Sequence, residues 1–353
     1  MKSLILHIGT HKTASSSLQL FLLRNKAELA RHGFCYPTEG AYFWPGENSQ
    51  SILSHAIRGV KPTYLGKTSI SKKACIAEIQ RDIERSPCQN VLISSEHLSL
   101  LDPAQIEELR EVFAPQVAKV RVVVYLRRQD SRLESGYNQL TKTGQNALGF
   151  DAFVERIMAN DEGNYDSDRL LRRFAAVFGR ENIIVRPFER QQLNAKGIAH
   201  DFLDQMAVSN RNGFHFTEPR NESLPVEAVE ILRLVYPHLE SGELRKSFRE
   251  FVISQSDGHE RVRYTLFTDE LRERVLDHYR EGNRNVAKEY FGRDELFFDP
   301  ANPALPRYRG LSQEKLAEIS ASIWATRQNK RTRLHKLVDV VKGKLTRPNW
   351  AGQ

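Results

Sequence analysis

Cysteine is scarce in this chain: Cys35, Cys75 and Cys88 are the only three in 353 residues. An odd, scattered set cannot pair completely within one chain, and it lacks the close spacing of a zinc site. A disulfide scaffold is therefore excluded as the basis of the fold, and a reducing, cytoplasmic compartment is expected. No metal is expected either, because the eleven histidines form no ligand-spaced cluster. Long apolar runs are missing as well. The N-terminal Leu4-Ile5-Leu6 is interrupted at His7 and Gly9, too soon for the apolar region of a secretory signal. No stretch approaches the ~20 apolar residues of a membrane-spanning helix. The chain is expected to begin directly with a strand of the folded core.

A basic globular surface is also lacking. The net charge is +8, yet eight Lys and Arg residues between Arg327 and Arg347 face a single acid, Asp339. The excess thus belongs to a tail, and no nucleic-acid partner is expected of the remainder. Within the tail, Leu334, Leu337, Val338, Val341 and Leu345 fall at helical spacing. A basic amphipathic helix of this kind either packs on the domain or rests on an anionic membrane surface, which would make the protein peripheral at the inner face of the membrane. Residues 1–310 are read as one α/β domain and 311–353 as a basic helical extension.

What is present is an alternation of strands and helices. Residues 4–8 read as a strand, followed by a helix to about residue 31, with Leu18, Phe21, Leu22 and Leu29 on one face. Residues 34–71 look irregular. Helices are expected over 72–85, 103–113 (after the Asp102-Pro103 cap), 130–140 and 166–178. Strands are expected at 91–95, 121–126 and 183–186. The continuous run Val122-Val123-Val124-Tyr125-Leu126 implies burial on both faces, as in a parallel sheet. The pattern predicts an α/β fold: a doubly wound parallel sheet flanked by helices, mainly helical after residue 190.

Two segments carry anion chemistry. The first is Gly9-Thr10-His11-Lys12-Thr13-Ala14-Ser15-Ser16-Ser17, between the first strand and its helix. The glycine permits a sharp turn, the helix start presents N–H groups, and Lys12 with the Thr and Ser hydroxyls completes an anion cradle. The second glycine of a Walker A loop is absent before Lys12, which argues against a P-loop kinase. The second segment is Arg127 through Ser135. Arg127 closes the strongest strand, and Ser135 follows eight residues later, about two helical turns on. Together an arginine and a hydroxyl grip a phosphate from two sides.

These two segments resemble the signatures of the PAPS-dependent sulfotransferase superfamily. Lys12 to Leu18 is similar to its 5′-phosphosulfate loop, Lys-Thr-Gly-Thr-Thr-Ser-Leu. Arg127, Arg132 and Ser135 fall on its 3′-phosphate motif, Arg-x-Pro-x-x-Arg-x-x-Ser. Ala14 stands where the family has glycine, and Gln129 where it has proline. Weaker likenesses to bacterial carbohydrate sulfotransferases run through 178–189 and 283–292. The resemblance implies that the sheet is of P-loop type, with PAPS as sulfuryl donor, no metal, and a hydroxyl acceptor, a glycan or glycolipid for preference. It also implies a general base, for which Glu96 and His97 at the end of the second predicted strand are the candidates. Strand alternation predicts that only one of them faces the cleft, and Glu96 is favoured. Tyr42, Phe43, Trp44 and His55 are candidates for an acceptor wall, or else part of a local core. A P-loop kinase-like phosphotransferase and a non-catalytic nucleotide-binding protein are the alternatives.

Overall fold

The computed structural model describes residues 1–62, 71–160, 164–216, 224–256, 264–299, 305–314, 316–317 and 321. Its elements run in the order β1 (Lys2–His7), α1 (Ser15–Arg24), α2 (Lys26–Arg31), β2 (Phe34–Cys35), α3 (Ser51–Arg58), α4 (Lys72–Arg85), β3 (Asn90–Ser94), α5 (Pro103–Phe113), β4 (Val117–Leu126), α6 (Gln129–Lys142), α7 (Phe150–Asn160), α8 (Ser167–Phe178) and β5 (Ile183–Pro187). The helices α9 (Ile198–Gln205), α10 (Val226–Val235), α11 (Gly242–Ser256), α12 (Asp269–His278) and α13 (Arg280–Phe291) follow. The mainly helical C-terminal part expected after residue 190 is therefore present among the described residues.

The five strands pair in the order β2-β3-β1-β4-β5, all parallel. Strand alternation divides their side chains between two cores. Leu4, Leu6, Val91, Ile93, Val122, Val124 and Leu126 enter a core shared with α3, α4, α5, α8 and α13. Ile5, Leu92, Val123 and Tyr125 enter the opposite core, against α1 and α9. Both faces are covered along the central stretches, so Leu4–Leu6, Val91–Ile93 and Val122–Leu126 are apolar throughout, whereas Lys119 and Arg121 at the start of β4 are exposed and half-buried. Burying each such Leu, Ile or Val contributes about 1.5–3 kcal/mol.

The helix expected to reach residue 31 is broken at Asn25. Its amide donates to the carbonyls of Phe21 (2.8 Å) and His215 (3.0 Å), and its Oδ1 accepts from the His215 N–H (2.7 Å). A side chain bonded to both backbones interrupts the helix and seats the later chain on it. The segment expected to be irregular contains β2 and α3. β2 is only two residues long and α3 only eight, too short for a clear period in sequence. By contrast, α5 starts where the cap predicted it. The Asp102 side chain accepts from the Gln105 N–H (2.9 Å), and the Gln105 side chain accepts from the Asp102 N–H (3.1 Å).

β1 lies at the centre of the sheet, between β3 and β4. The chain leaves β1 toward the β2-β3 side and returns to add β4 and β5 on the other. In open α/β sheets such a reversal creates a crevice at the carboxyl ends of the central strands. The proposed boundary near residue 310 follows a stitched segment, since the Thr265 N–H bonds Pro306 (3.0 Å) and the Tyr308 N–H bonds Thr265 (2.8 Å). The basic run from Arg327 onward, with its apolar face from Leu334 to Leu345, lies outside the described residues.

Candidate active site

The carboxyl ends of β1, β3 and β4 lie side by side, because His7 is in register with both Ser94 and Val123. Beyond His7 the chain stays attached to β4. The Ile8 N–H donates to Val123 (3.1 Å), the Tyr125 N–H to Gly9 (2.7 Å) and the Thr10 N–H to Tyr125 (3.0 Å). The loop then turns through left-handed conformations at Gly9 (φ 94°), Lys12 (φ 69°) and Ala14 (φ 58°). Ala14 precedes the first turn of α1, which has no side-chain cap and no acidic residue. Its first N–H groups therefore have no side-chain acceptor at the cap and no acidic residue within the same turn.

The hydroxyls of this loop divide into two sets. Thr13 Oγ1 (2.6 Å) and Ser15 Oγ (3.1 Å) both donate inward to the Thr10 carbonyl, and Thr10 Oγ1 donates to the Tyr125 carbonyl (3.2 Å). Thr10, Thr13 and Ser15 are buried and hold the loop's shape. Ser16 is exposed, and His11, Lys12, Ala14 and Ser17 are half-buried.

Arg127 follows β4 and donates from Nη1 to the Lys12 carbonyl at 3.0 Å. The two anion-binding segments read from the sequence are thus on one edge of the sheet and in direct contact. Ser135 lies half-buried on α6. Arg132 is buried; it donates to the Asn164 carbonyl (2.7 Å) and lies over the Tyr165 ring at 4.3 Å. Gln129, where the resembling family has proline, forms a reciprocal amide pair with Asn283 (2.9 Å each way) and donates to the Tyr165 carbonyl (3.2 Å). The start of α6 is in this way fixed to α13.

Glu96 and His97 both reach the crevice. β3 ends at Ser94, and a 3₁₀ turn from Glu96 to Leu100 follows. The expectation that one would face away assumed a strand's period of two, which a 3₁₀ turn does not have. The His97 ring lies 5.1 Å from the His11 ring and 4.4 Å from the His55 ring, centroid to centroid. Glu96 Oε2 accepts from the Gln19 amide at 2.7 Å. Burial alone would raise the Glu96 pKa, but His11, His97 and the Gln19 amide outweigh it and hold the carboxyl below its ordinary value. His7, His11, His55 and His97 are each lowered to about 4, chiefly by burial. At neutral pH the crevice therefore holds a carboxylate among uncharged imidazoles.

Tyr42 and Phe43, candidates for the acceptor wall, are buried in the core, and Trp44 packs partly against it. The Tyr42 hydroxyl donates to Asp82, on α4. Of that group only His55 joins the crevice. Other residues not singled out in the sequence stand near Glu96. Glu47 has its pKa raised, mainly by burial and further by the Glu96 charge. Arg58, three residues after His55 on α3, acts electrostatically on His11, His55 and His97. Gln19 gave one legible signal: it is a polar residue beside Leu18 on the buried side of α1. Among the described residues no group of three or more His, Cys, Asp or Glu side chains could hold a metal ion. No described helix is long and apolar enough to cross a membrane.

No family model matches the chain. An uncharacterized protein of Archaeoglobus fulgidus is 27% identical over 208 residues, which cover 59% of this chain and 55% of that protein. The match thus spans about half the length of that relative. Among solved structures, the crystal structure of a sulfotransferase from Alicyclobacillus acidocaldarius is similar at a TM-score of 0.39 and 14% identity, over 72% of this chain and 93% of that one.

Proposed function

We propose that this chain is a sulfotransferase that moves a sulfuryl group from PAPS to a hydroxyl acceptor. The observation that carries the reading is the 3.0 Å bond from Arg127 to the Lys12 carbonyl. It brings the two segments together at neighbouring strand ends, which supports one bisphosphorylated adenosine spanning both. The residues present fit such a group: Lys12 and the uncapped first turn of α1 suit the 5′-phosphosulfate, and Arg127 with Ser135 suits the 3′-phosphate.

When bound, PAPS supplies the activated sulfuryl group. Glu96 accepts the proton of the acceptor hydroxyl as that oxygen bonds to sulfur. Lys12 and the α1 N–H groups stabilise the charge that develops on the 5′-phosphate oxygen as its bond to sulfur breaks. Ser135 positions and does not act as a nucleophile, so no covalent enzyme intermediate is formed. His97 and His55 line the acceptor side. With Glu47 and Arg58 nearby they make that side polar, which favours a glycan or glycolipid over a plain phenol.

The test has two stages. PAP, the desulfated nucleotide, should raise the melting temperature, and Arg127→Ala should abolish the rise. Labelled PAPS should then transfer its label to members of a panel of glycans, glycolipids and phenols. A protein indifferent to PAP and inactive across the panel refutes the reading. A PAP response with no transfer supports a non-catalytic nucleotide-binding protein instead.

A further inference from the structure

Glu96 is held by a residue to which no role has been assigned. Gln19 is on α1, one turn beyond Ser15, and its side chain is almost fully buried. It donates to Glu96 Oε2 at 2.7 Å across 77 residues of sequence. On its other side Glu96 meets the backbone of the anion-binding loop. A Cβ on Gly9 would come within 2.9 Å of the Glu96 Cβ. Glu96 is thus flanked by the loop at its Cα and Cβ and held at its carboxylate by the helix that the loop opens into.

We propose that Gln19 is the positioning residue for Glu96, orienting its carboxylate and keeping it ionised from the same helix whose first turn faces the donor's anionic end. The inference rests on the reading of Glu96 as the base. A buried amide on this rigid element fixes the carboxylate relative to the donor site, so donor and base share one frame. Hydrogen bonding to the charged form also favours that form. Other titratable groups interact with the same carboxylate: His7 from β1, His11 from the loop, Tyr36 beyond β2, Glu47 before α3, and His97 from its own turn, while Lys12 of the loop acts on His11. Arg58 and Arg132 act on the surrounding histidines. Gln19 itself does not titrate, so replacing it with a neutral residue changes none of these charges.

The test compares wild type with Gln19→Met, which is close in shape and cannot donate. Gln19→Asn, whose amide is one carbon shorter, stands in if the Met form does not fold. Glu96 is followed by carbon-13 NMR of labelled carboxyl groups, its signal assigned by its loss in Glu96→Gln. In the Gln19 variant its titration midpoint should move to higher pH. The PAP-induced thermal shift should persist, kcat should fall about tenfold, and acceptor KM should change less than twofold. An unmoved midpoint overturns the proposal, and so does a moved midpoint with unchanged kcat. Undiminished transfer by Glu96→Gln would instead overturn the base assignment, while the NMR titration still decides whether Gln19 governs the carboxylate.

Discussion

Gly9→Ala is the substitution whose outcome can be worked most fully from the geometry, provided it is read beside Gly33→Ala. Both glycines have positive φ, +94° and +79°, but only Gly9 is crowded. A Cβ on Gly33 meets nothing within 4 Å, so that variant isolates the backbone cost of about 1–2 kcal/mol. A Cβ on Gly9 lies 2.9 Å from the Glu96 Cβ and 3.0 Å from its Cα, where ordinary contact begins near 3.4 Å. Glu96 must yield by about half an ångström, and overpacking of this kind adds about 1–3 kcal/mol. Gly9→Ala should therefore lose about 2–5 kcal/mol in all, and Gly33→Ala only the smaller part. Displacing a reacting group by 1 Å can cost about 100-fold, so half that displacement should lower turnover about tenfold. Urea unfolding of both variants gives the stability difference, and labelled-PAPS transfer gives the turnover. Equal stability losses with unimpaired turnover in Gly9→Ala would refute the claim that the loop backbone sets the position of Glu96 through its Cα and Cβ.

Lys12→Ala should lower turnover about 100- to 1000-fold, as loss of a group stabilising developing charge does, with little change in the urea midpoint. Ala14→Gly should raise stability by up to about 1 kcal/mol in the same urea assay, because the residue is left-handed at φ 58°. In the pH profile of transfer, the depressed Glu96 pKa keeps the carboxylate ionised as pH falls. Activity should decline on the acid side only below the ordinary carboxylate range. Stability should behave differently. His7 is buried with a pKa of about 4 against 6.5 when unfolded, so the unfolded chain binds the extra proton between these values. Its contribution is full above pH 6.5 and falls toward pH 4, by up to about 3 kcal/mol. Unfolding measured across that window should show a shallower slope in His7→Gln.

Much of the sheet was legible because its strands are buried on both faces. The Val122–Leu126 run and the alternating strand and helix segments left little choice of architecture. The Asp102-Pro103 cap and the 72–85 helix were likewise readable from local chemistry. What failed was set by distant contacts. The break at Asn25 depends on a backbone bond to His215, which no local period encodes. β2 owes its existence to pairing with β3. At the site, the loop and Arg127 were visible as charged residues at strand ends. The role of Gln19 was not, because an isolated polar residue among apolar ones states no partner. The inward turn of Thr13 and Ser15 was hidden for a related reason. A hydroxyl near an anion loop looks the same in sequence whether it faces a ligand or a carbonyl.

The reciprocal amide pair between Gln129 and Asn283 bears on how the molecule can be cut. It links the residue two places after Arg127 to a helix more than 150 positions downstream. A fragment ending at residue 190 would retain all five described strands yet lose the partner that anchors the start of α6. It would also lose α9 and α13, which help cover the two faces of the sheet, so both cores would be opened together with that anchor. The later helices thus brace the Arg127 end of the crevice as well as the sheet, and shortening the protein from that side should loosen both at once.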